Sequence, residues 1–391
     1  MSSPLREVTT LFLRLGLTAF GGPAAHLALM HEQVVRRRRW LDDARFLDLV
    51  GLANLVPGPN STELAIHLGR ERAGWRGFAA AGVAFIAPAM LIVLGLAWLY
   101  GRYGALPQAA SLLEGVKAVM IAIIAQALWT LVPKAVKGPL TGVVGAAALA
   151  LALAGVHEIA LLFGAGLLVL GWRAGRHGTA TAMFALPVAA LRAGAPGTAS
   201  AAAATVAAAT AAVAVPFNLP LLFLSFLKIG AVMYGSGYVL LAFLRAEFVT
   251  RFGWLTEQQV LDAVAVGQIT PGPLFTAATF IGRLLGGVPG ALLATLGIFL
   301  PSFVFVALTG PLLRGRERSP LLGAFLDGVN VAALGLMAAV TWQLGRSVLV
   351  DMPVALVTVI SLVLLVRTRI PSLGLLAGGA VFGLARAYLP G

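Results

Sequence analysis

Two identical tripeptides interrupt apolar stretches of the chain, and their residue types suit the binding of an anion. Residues 57–59 and residues 271–273 both read Pro-Gly-Pro, inside LVGLANLVPGPNSTELAIHL and AVAVGQITPGPLFTAATFI. A helix that begins after such a break carries unpaired N–H groups and a partial positive charge at its start, which attract anions without a formal cation. Glycine lets the backbone approach a ligand closely. Each break therefore predicts part of an anion-binding site.

A second pair of glycine-rich breaks precedes the two tripeptides. Residues 20–23 read Phe-Gly-Gly-Pro and residues 234–237 read Tyr-Gly-Ser-Gly, each followed by an apolar stretch that could form a helix. Four helix N-termini that converge near the middle of a membrane would suit a small, doubly charged oxyanion, and nearby hydroxyls would add donors. The predicted substrate-binding residues are Gly21, Gly22, Pro23, His26, Pro57, Gly58, Pro59, Asn60, Ser61, Thr62, Gly235, Ser236, Gly237, Pro271, Gly272, Pro273 and Thr276.

Three charged residues join this hypothesis as candidates for charge balance or coupling. Arg14 and Lys228 occupy equivalent positions inside apolar segments, where a charge is costly and usually functional, although either side chain could instead reach the membrane surface. Glu63 could carry a proton, pair with Arg14 or only stabilise its helix N-terminus. For His26, a hydrogen-bonded core position is the alternative to binding an anion or a proton. For Pro-Gly-Pro, the alternative is a break required by packing alone, but two copies favour a binding site.

The composition places these residues in a membrane protein. The chain has 391 residues, of which 59% are hydrophobic and 11% are charged, and its mean hydropathy is +0.94. A soluble chain would have about 25% charged residues. The uncharged runs at residues 78–100 and 287–313 are each long enough to cross the bilayer as a helix. We therefore predict an integral, polytopic, all-α membrane protein.

The net charge and the absence of cysteine exclude several functions. Basic cytoplasmic loops explain the net charge of +13, and no nucleic-acid motif accompanies it, so no nucleic-acid partner is predicted. Without cysteine the chain can form no disulfide, thiol nucleophile or cysteine-ligated metal centre. The histidines lack metal-ligand spacing, so neither a metal nor another cofactor is predicted. No Walker motif is present, which excludes ATP as the direct energy source.

The chain contains the same unit twice. Residues 12–16 read Phe-Leu-Arg-Leu-Gly, and 214 positions later residues 226–230 read Phe-Leu-Lys-Ile-Gly. The tripeptides share this offset, and beyond them a one-residue deletion shifts it to 213. The register persists over about 130 residues, which marks an internal repeat. We divide the chain into a first transmembrane repeat (residues 1–175), a connector with one Ala-rich spanning helix (176–218) and a second transmembrane repeat (219–391).

The distribution of arginine predicts how the repeats meet the membrane. The basic stretches 36–40 and 70–76 flank the first tripeptide and belong on the same, cytoplasmic side. A segment between them that crossed the membrane would separate them, whereas a re-entrant hairpin keeps both inside. Each repeat is thus predicted to contain two re-entrant helical hairpins and about four transmembrane helices, with the second copy inverted. Inverted repeats are common in secondary transporters.

These motifs resemble the chromate ion transporter (CHR) family in its long, two-domain form. The resemblance is carried by FGGPAAH (20–26), RRRRWLDDARFLDL (36–49), PGPNSTELAIHLG (57–69), FLKIGAVMYGSGY (226–238) and TPGPLFTAATFIG (270–282), and it covers roughly residues 9–345. It implies membrane export of chromate, a tetrahedral dianion similar to sulfate, and resistance to chromate. Two positions depart from the family pattern. Ser236 stands in a motif that often reads Phe-Gly-Gly-Gly-Tyr, and Glu63 stands where many members carry Gln.

The residues and the resemblance together predict a secondary transporter rather than an enzyme. Its expected activity is export of chromate from the cytoplasm across the bacterial inner membrane, driven by the membrane potential or by ion exchange. One alternative is a transporter of sulfate or another oxyanion that works in uptake or exchange. Another is a membrane-bound redox enzyme, for which the chain offers no redox centre. Small residues in the Ala-rich connector would also permit a homodimer.

Overall fold

A computed structural model of the protein describes residues 3–20, 22–104, 106–176, 216–234, 237–312, 320–349, 351–368 and 370–388. In the first half, α-helices run over Pro4–Thr18 (α1), Gly22–His31 (α2), Asp43–Ala53 (α3), Asn60–Tyr103 (α4), Pro107–Ala135 (α5), Pro139–Leu153 (α6) and Glu158–Arg176 (α7). In the second half, they run over Leu219–Val232 (α8), Leu240–Leu244 (α9), Glu257–Ile269 (α10), Ala277–Leu312 (α11), Pro320–Val348 (α12), Met352–Arg367 (α13) and Ser372–Tyr388 (α14). Nearly all of the Ala-rich connector falls outside the described residues, so the connecting helix and the homodimer stay predictions.

The two halves have their elements in the same order. Each half has a π-helical segment, Glu32–Arg37 after α2 and Arg245–Arg251 after α9. The second half adds two 3-10 turns, Gly237–Val239 before α9 and Leu274–Thr276 before α11. Thus α1 corresponds to α8, α3 to α10, α4 to α11, and α5 to α7 correspond to α12 to α14.

Long apolar helices with exposed apolar side chains identify a membrane protein. Five helical stretches of the described residues are long and apolar enough to cross a membrane, namely Asn60–Tyr103, Pro107–Ala135, Glu158–Gly175, Leu274–Thr309 and Leu321–Arg346. Leu91 is 60% exposed, Trp129 is 75% exposed and Leu308 is 56% exposed. Such surfaces are unfavourable in water and suit contact with lipid, because the helical backbone satisfies its own hydrogen bonds. The protein is a multi-pass, all-α membrane protein, as its composition predicts.

The helices on either side of each Pro-Gly-Pro form a hairpin, with the tripeptide at what we call its tip. In the first half, an ion pair between Arg45 near the start of α3 and Glu71 in α4 closes the opposite end, which we call the base. The α3 arm has 11 residues and is therefore about 16 Å long. The returning arm, residues 60–72 of α4, is about 20 Å long. Neither arm reaches the roughly 30 Å that crosses the hydrocarbon layer.

The base of this hairpin also holds the ends of the preceding helices. Arg72 of α4 binds Glu7 of α1 at 2.8 Å, and its guanidinium lies 5.4 Å from the centre of the Trp40 ring. His31 at the end of α2 contacts Asp43 at the start of α3 at 2.7 Å. The outer ends of α1, α2, α3 and the first arm of α4 therefore lie together at one base.

Side-chain caps fix where the helices that lead to the tips begin. The Asp42 side chain accepts a hydrogen bond of 2.7 Å from the Arg45 N–H and starts α3. Thr256 forms a capping box with Gln259 at the start of α10, with reciprocal bonds of 3.2 Å and 2.9 Å. Caps of this kind stabilise a helix by about 1 kcal/mol each. By fixing the first residues of α3 and α10, they fix the positions of the tripeptides that follow these helices.

A sharp reversal follows the hairpin in each half, within α4 and within α11. Ala73 and Gly74 leave helical geometry at φ/ψ of −138°/23° and 61°/−148°. Gly286 and Gly287 do so at −131°/19° and 65°/−153°. The positive φ of the second residue in each pair suits glycine, which has no Cβ to clash. The matching angles show that both halves reverse in the same way.

The reversals bring the two segments of each long helix side by side and antiparallel. In α4, the backbones at Gly69 and Gly77 are so close that a Cβ on either would overlap the other's carbonyl. In α11, the hydroxyls of Thr279 and Thr295 share a hydrogen bond of 2.7 Å across the reversal. The second segments of α4 and α11 consequently start at the base of their own hairpins.

The second segment of α11 runs from its own base, past the first tip, toward the base of the first half. Ser302 in the middle of this segment donates a hydrogen bond of 3.1 Å to Glu63 beside the first tip. One turn farther on, the carbonyl of Val306 accepts a hydrogen bond of 3.3 Å from Arg70 near the first base. This segment therefore lies beside the first tip and reaches the base of the first half.

The second segment of α4 takes the equivalent course. Ala89 lies beside Gly272 at the second tip. Farther along, the Tyr100 hydroxyl donates a hydrogen bond of 2.8 Å to Asp262 in α10. The segment has thus passed the second tip and runs alongside an arm of the second hairpin, so each long helix extends toward the base of the opposite half.

The last helices of each half pack against the other half. Helices α6 and α7 pack on α12, while α13 and α14 pack on α5. Equivalent ion pairs join them, Arg173 of α7 to Asp327 of α12 at 2.8 Å and Arg386 of α14 to Glu114 of α5 at 3.6 Å. Since each half completes the other, the central contacts between the tips are held by the whole bundle.

Candidate functional site

The two tripeptide tips bond to the other half at the centre of the molecule. The Gly58 N–H donates a hydrogen bond of 2.8 Å to the carbonyl of Met233, which follows α8. The Gly272 N–H donates one of 2.9 Å to the carbonyl of Ala19, which follows α1. Met233 lies 214 positions after Ala19, so the two bonds are equivalent. The tips and the ends of the first helix of each half therefore meet.

A cavity lies at this meeting point. Its described lining residues are Pro23, His26, Gly58, Pro59, Asn60 and Ser61 of the first half and Gly237, Pro273, Leu274 and Phe275 of the second. The cavity is narrow, with a volume of about 20 Å³, which is room for about one water molecule. Eight of these ten residues belong to the set that the sequence predicts, and all four breaks contribute to the wall.

The residues that begin a helical turn after each tip lie in the cavity wall. Asn60 and Ser61 are the first two residues of α4, and Leu274 and Phe275 open the 3-10 turn that leads into α11. N–H groups in the first turn of a helix have no intrahelical acceptor and carry a partial positive charge. Among the described residues, backbone hydrogen bonds begin with the Thr62 N–H in the first half and with the Thr276 N–H in the second. The wall can therefore offer two pairs of N–H donors to an anion.

Glycine is required at both tips by conformation and by space. Gly58 has φ of 134° and Gly272 has φ of 90°, values that L side chains rarely adopt. A Cβ on Gly272 would lie 2.8 Å from the Ala89 Cβ, and one on Gly58 would overlap the Glu63 carboxyl group. The tips therefore present bare backbone, which brings their neighbouring donors close to whatever occupies the cavity.

His26 contributes an imidazole to the cavity wall and is itself only 1% exposed. Its Nε2 lies 3.1 Å from the Ala19 carbonyl oxygen, so Nε2 carries the proton that it donates. Its Nδ1 has no partner among the described residues and is an acceptor in the neutral ring. The Ala19 carbonyl also accepts from Gly272, which ties the imidazole to the second tip.

Glu63 lies behind the first tip and is fully buried, with 0% exposure. Its Oε1 accepts the hydrogen bond from Ser302, and its Oε2 has no partner among the described residues. Arg14 lies on an exposed face of α1, and the described residues contain no ion pair between it and Glu63. The suggested pairing of Glu63 with Arg14 is therefore not formed.

Other predicted residues lie near the breaks without forming the described cavity wall. The Thr276 hydroxyl donates a hydrogen bond of 2.9 Å to the Pro273 carbonyl and so closes a turn. The Lys228 amine binds Glu247, which also binds Arg251 at 2.7 Å, so this cation is neutralised away from the cavity. Gly22, Pro57, Thr62, Pro271 and Gly272 stand at the breaks but do not line the cavity. Gly21, Gly235 and Ser236 lie outside the described residues.

Sequence reasoning missed three residues at the site. Leu274 and Phe275 are apolar and contribute backbone donors, so their side chains gave no chemical signal. Ser302 lies in the middle of an apolar helix of the other half, where only folding brings it to Glu63. Comparison of the two repeats could have revealed Ser302. The equivalent position in the first half holds Ala89, so the serine is a polar residue that only one half has.

A second buried polar group, also missed, joins the two halves farther from the tips. The Lys117 amine of α5 lies 3.0 Å from the Asp262 carboxylate of α10, and their side chains are 3% and 4% exposed. Tyr100 of α4 donates to the same carboxylate. A lysine inside an apolar segment was the signal that sequence reading could have used.

Comparisons with known proteins point to one family. A family model described as chromate transporter matches residues 6–172 and 220–384. The chromate transport protein of Cupriavidus metallidurans is 36% identical over 390 residues, which is 97% of this chain and 92% of the relative. The probable chromate transport protein of Synechococcus elongatus is 34% identical over 368 residues, which is 92% of this chain and 89% of the relative.

A third relative has the same description. The chromate transport protein of Pseudomonas aeruginosa is 34% identical over 338 residues, which is 86% of this chain and 80% of the relative. No solved structure matches the chain. Because the family model spans both halves and these relatives match over most of their length, this multi-pass membrane protein belongs to the chromate transporter family.

Proposed function

We propose that the protein is a secondary transporter that exports chromate from the cytoplasm through the central cavity and thereby confers chromate resistance. The family and the names of the relatives support chromate as the cargo. They also support a transporter rather than an enzyme, in the cytoplasmic membrane of a bacterium. Sulfate, which shares the charge and tetrahedral shape of chromate, is the expected competitor.

The observation that carries this proposal is a cavity with free N–H donors from both halves and no cation in its described lining. Chromate can accept hydrogen bonds on all four of its oxygens. Backbone donors at helix starts would bind it through partial charges. A fixed lysine or arginine would hold a dianion more tightly, whereas transport requires that the ion also leave. The donor set therefore suits a transported anion better than a permanently bound one.

We also infer that the hairpins are re-entrant and that the halves are inverted across the membrane. The arms are too short to cross the bilayer, at about 16 to 20 Å. The ends of the first-half helices share one base, where arginine is concentrated. Each long helix then runs from its own base past both tips. These features together favour tips near the midplane and bases on opposite faces.

The direction of transport follows from the charge of the cargo. A bacterial cytoplasm is electrically negative, so moving a dianion outward across 100 mV gains about 4.6 kcal/mol, twice the value for one charge. The membrane potential alone would therefore drive export. Ion exchange remains a second source of energy for the same site.

Transport by purified protein in liposomes tests the proposal. A potassium gradient with valinomycin sets the potential, and the initial fluxes of chromate, sulfate, molybdate and phosphate are compared with those of protein-free liposomes. We expect saturable chromate flux toward the positive side, inhibited by sulfate. A larger flux of sulfate than of chromate would identify a transporter of a different oxyanion. Reduction of chromate by the protein, followed by absorbance, would favour the redox alternative, and no flux at all would refute transport.

A further inference from the structure

Glu63 places a carboxyl group directly behind the cavity wall. Its Oε1 lies against Gly58, which lines the cavity and has no side chain to stand between the two. The carboxyl group is fully buried, and Oε1 accepts a hydrogen bond of 3.1 Å from Ser302. Oε2 has no partner among the described residues. Only the backbone of Gly58 would therefore separate a bound anion from this carboxyl group, of which only one oxygen accepts a hydrogen bond.

The surroundings of Glu63 contain no counter-charge in the part of the chain that the structure describes. On α4 itself, His67 is one turn away, and its Nε2 has no partner among the described residues. Ser302 faces Glu63 from α11, Tyr234 lies within electrostatic range after α8, and His26 of α2 lines the same cavity. Neither lysine nor arginine pairs with the carboxyl group among these residues. A buried carboxylate without a cation is costly, so the protonated form is the one that this environment accommodates.

The pair formed by Glu63 and Ser302 joins the two halves behind the first tip and has no counterpart behind the second tip. The equivalent positions hold Ala277 and Ala89, and Ala89 packs against Gly272 at the second tip. Two alanines thus build the same tip geometry, with its positive-φ glycine and its bond to the opposite half. The fold does not require an acid at this place, which leaves a functional role to be explained.

Electrostatic linkage supplies that role, given the chromate site proposed above. A dianion in the cavity and a carboxylate behind Gly58 would repel each other in a medium of low dielectric constant. Binding of the anion therefore favours binding of a proton to Glu63, and the reverse holds by reciprocity. We propose that Glu63 is a proton-binding site that couples transport to protons, so that each chromate crosses with one proton. The proton enters from the water on the side where the anion binds and leaves on the opposite side, and the transported unit has a net charge of one negative charge.

A pH gradient across liposomes tests the coupling separately from transport itself. Valinomycin and equal potassium concentrations hold the potential at zero, and chromate is present at equal concentrations on both sides. We expect the wild-type protein to move chromate along the proton gradient. Glu63→Gln keeps a hydrogen-bonding side chain of the same size but binds no proton. It should lose the flux driven by the pH gradient while it retains the flux driven by the potential.

Matched variants separate this role from the other titratable groups. Ser302→Ala and His67→Phe introduce the residues that stand at the equivalent positions of the opposite half, Ala89 and Phe280. His26→Gln removes the remaining imidazole of the cavity. Because His26 lines the cavity, His26→Gln is expected to lower the pH-driven and the potential-driven flux together. All three variants should keep the wild-type ratio of pH-driven to potential-driven flux, provided that they fold as judged by size-exclusion chromatography.

Each outcome has a defined reading. Equal pH-driven flux in Glu63→Gln and wild type would overturn the proposal, and so would loss of coupling in His26→Gln alone. If Glu63→Gln does not fold, the wild-type protein decides, because absence of pH-driven flux alongside potential-driven flux also overturns it. Absence of both fluxes in the wild type would instead refute the chromate transport on which the inference rests, and the inference with it.

Discussion

At the scale of single residues, the candidate site relies on backbone groups that glycine and proline expose. Gly58 and Gly272 hold positive φ angles and bond to the opposite half, and the residues after each tip leave their N–H groups free. The two candidate cations lie elsewhere, since Arg14 is exposed and Lys228 is bound by Glu247. In the proposed function, recognition by N–H dipoles rather than by cations would let an apolar chain hold a dianion and release it.

A methyl group at Gly272 should destabilise the protein. Gly272→Ala forces an L side chain to φ of 90° and places its Cβ 2.8 Å from the Ala89 Cβ. Such backbone strain costs about 1 to 3 kcal/mol, so the melting temperature in detergent should fall. Adding Ala89→Gly should restore part of the loss by making room, while Gly101→Ala, where a Cβ meets nothing within 4 Å, should change little. Equal melting temperatures for Gly272→Ala and Gly101→Ala would contradict the strain at this tip.

Sequence reasoning can locate residues of this kind only when their type signals their role. Pro-Gly-Pro is informative because glycine and proline restrict the backbone, and both copies lie at the tips that meet in the structure. Phe275 could not be found, because it contributes a backbone donor that every residue has. The position of Lys228 was also unpredictable, since its partner Glu247 follows by 19 residues and is met only after the chain turns.

At the scale of elements, the hairpins and the reversals of the long helices position the tips. The arms are short, α3 having 11 residues and α10 having 13, and the reversals at Gly74 and Gly287 return the chain from each base. The buried pair of Lys117 and Asp262 fixes an arm of the second hairpin to α5. These contacts hold the arms in place although no arm could span a bilayer alone.

Breaking the buried pair should be far more costly than breaking a surface pair. Asp262→Asn leaves Lys117 charged and unpaired inside the bundle, which should destabilise the protein by about 3 to 5 kcal/mol. Glu71→Gln breaks the pair with Arg45 at the first base, where the side chains are 28% and 38% exposed, and should cost less than about 1 kcal/mol. Thermal unfolding in detergent measures both.

Reversal of the charges provides the control for this pair. The double variant Lys117→Asp with Asp262→Lys restores an ion pair across the same interface, so its melting temperature should lie above that of Asp262→Asn. Tyr100 would then lose its acceptor, which keeps the rescue partial. A swapped variant less stable than Asp262→Asn would show that an ion pair alone is not enough. The interface would then require lysine at 117 and aspartate at 262.

The elements were only partly predictable from the chain. Pro-Gly-Pro and the flanking arginines predicted a hairpin, because proline ends a helix and positive charge marks one side of a membrane. The reversals were not predicted, because Ala73-Gly74 stands in a basic stretch without proline, and Pro289, two residues after Gly287, is also compatible with the first turn of a helix. A single glycine is tolerated in a helix, so its use as a turn depends on the packing of Gly69 against Gly77, which no local pattern encodes.

At the scale of the whole molecule, two equivalent halves complete each other around one centre. The repeat in the sequence predicts equivalent halves, and equivalent bonds such as Gly58 to Met233 and Gly272 to Ala19 join them. The packing of α6 and α7 on the second half, and of α13 and α14 on the first, could not be predicted from the sequence. The repeat shows which helices correspond but not which helices they pack against. The asymmetry of Glu63 and Ser302 is superimposed on this near-symmetry.

Labelling of single cysteines tests the proposed arrangement in the membrane, and the chain contains no native cysteine to interfere. Arg38→Cys and Arg76→Cys lie on exposed sites at the first base, on either side of the first hairpin. Both should react from the cytoplasmic side, because a re-entrant hairpin returns the chain to the face that it left. Thr250→Cys, exposed near the second base, should react from the outside. Labelling of Arg38→Cys and Arg76→Cys from opposite sides would contradict re-entrance, and labelling of all three from one side would contradict inversion.

The central claim is that chromate binds where the two tips meet, and its dissociation constant measures this most directly. Equilibrium dialysis with purified wild-type protein, Gly58→Leu, Gly272→Leu and the control Gly95→Leu gives four values. A Cβ at Gly95 would meet nothing within 4 Å, so this control should bind as the wild type does. Both tip variants should bind at least about tenfold more weakly, a loss of at least about 1.4 kcal/mol, while they remain monodisperse. Unchanged affinity in folded Gly58→Leu and Gly272→Leu would show that chromate binds elsewhere.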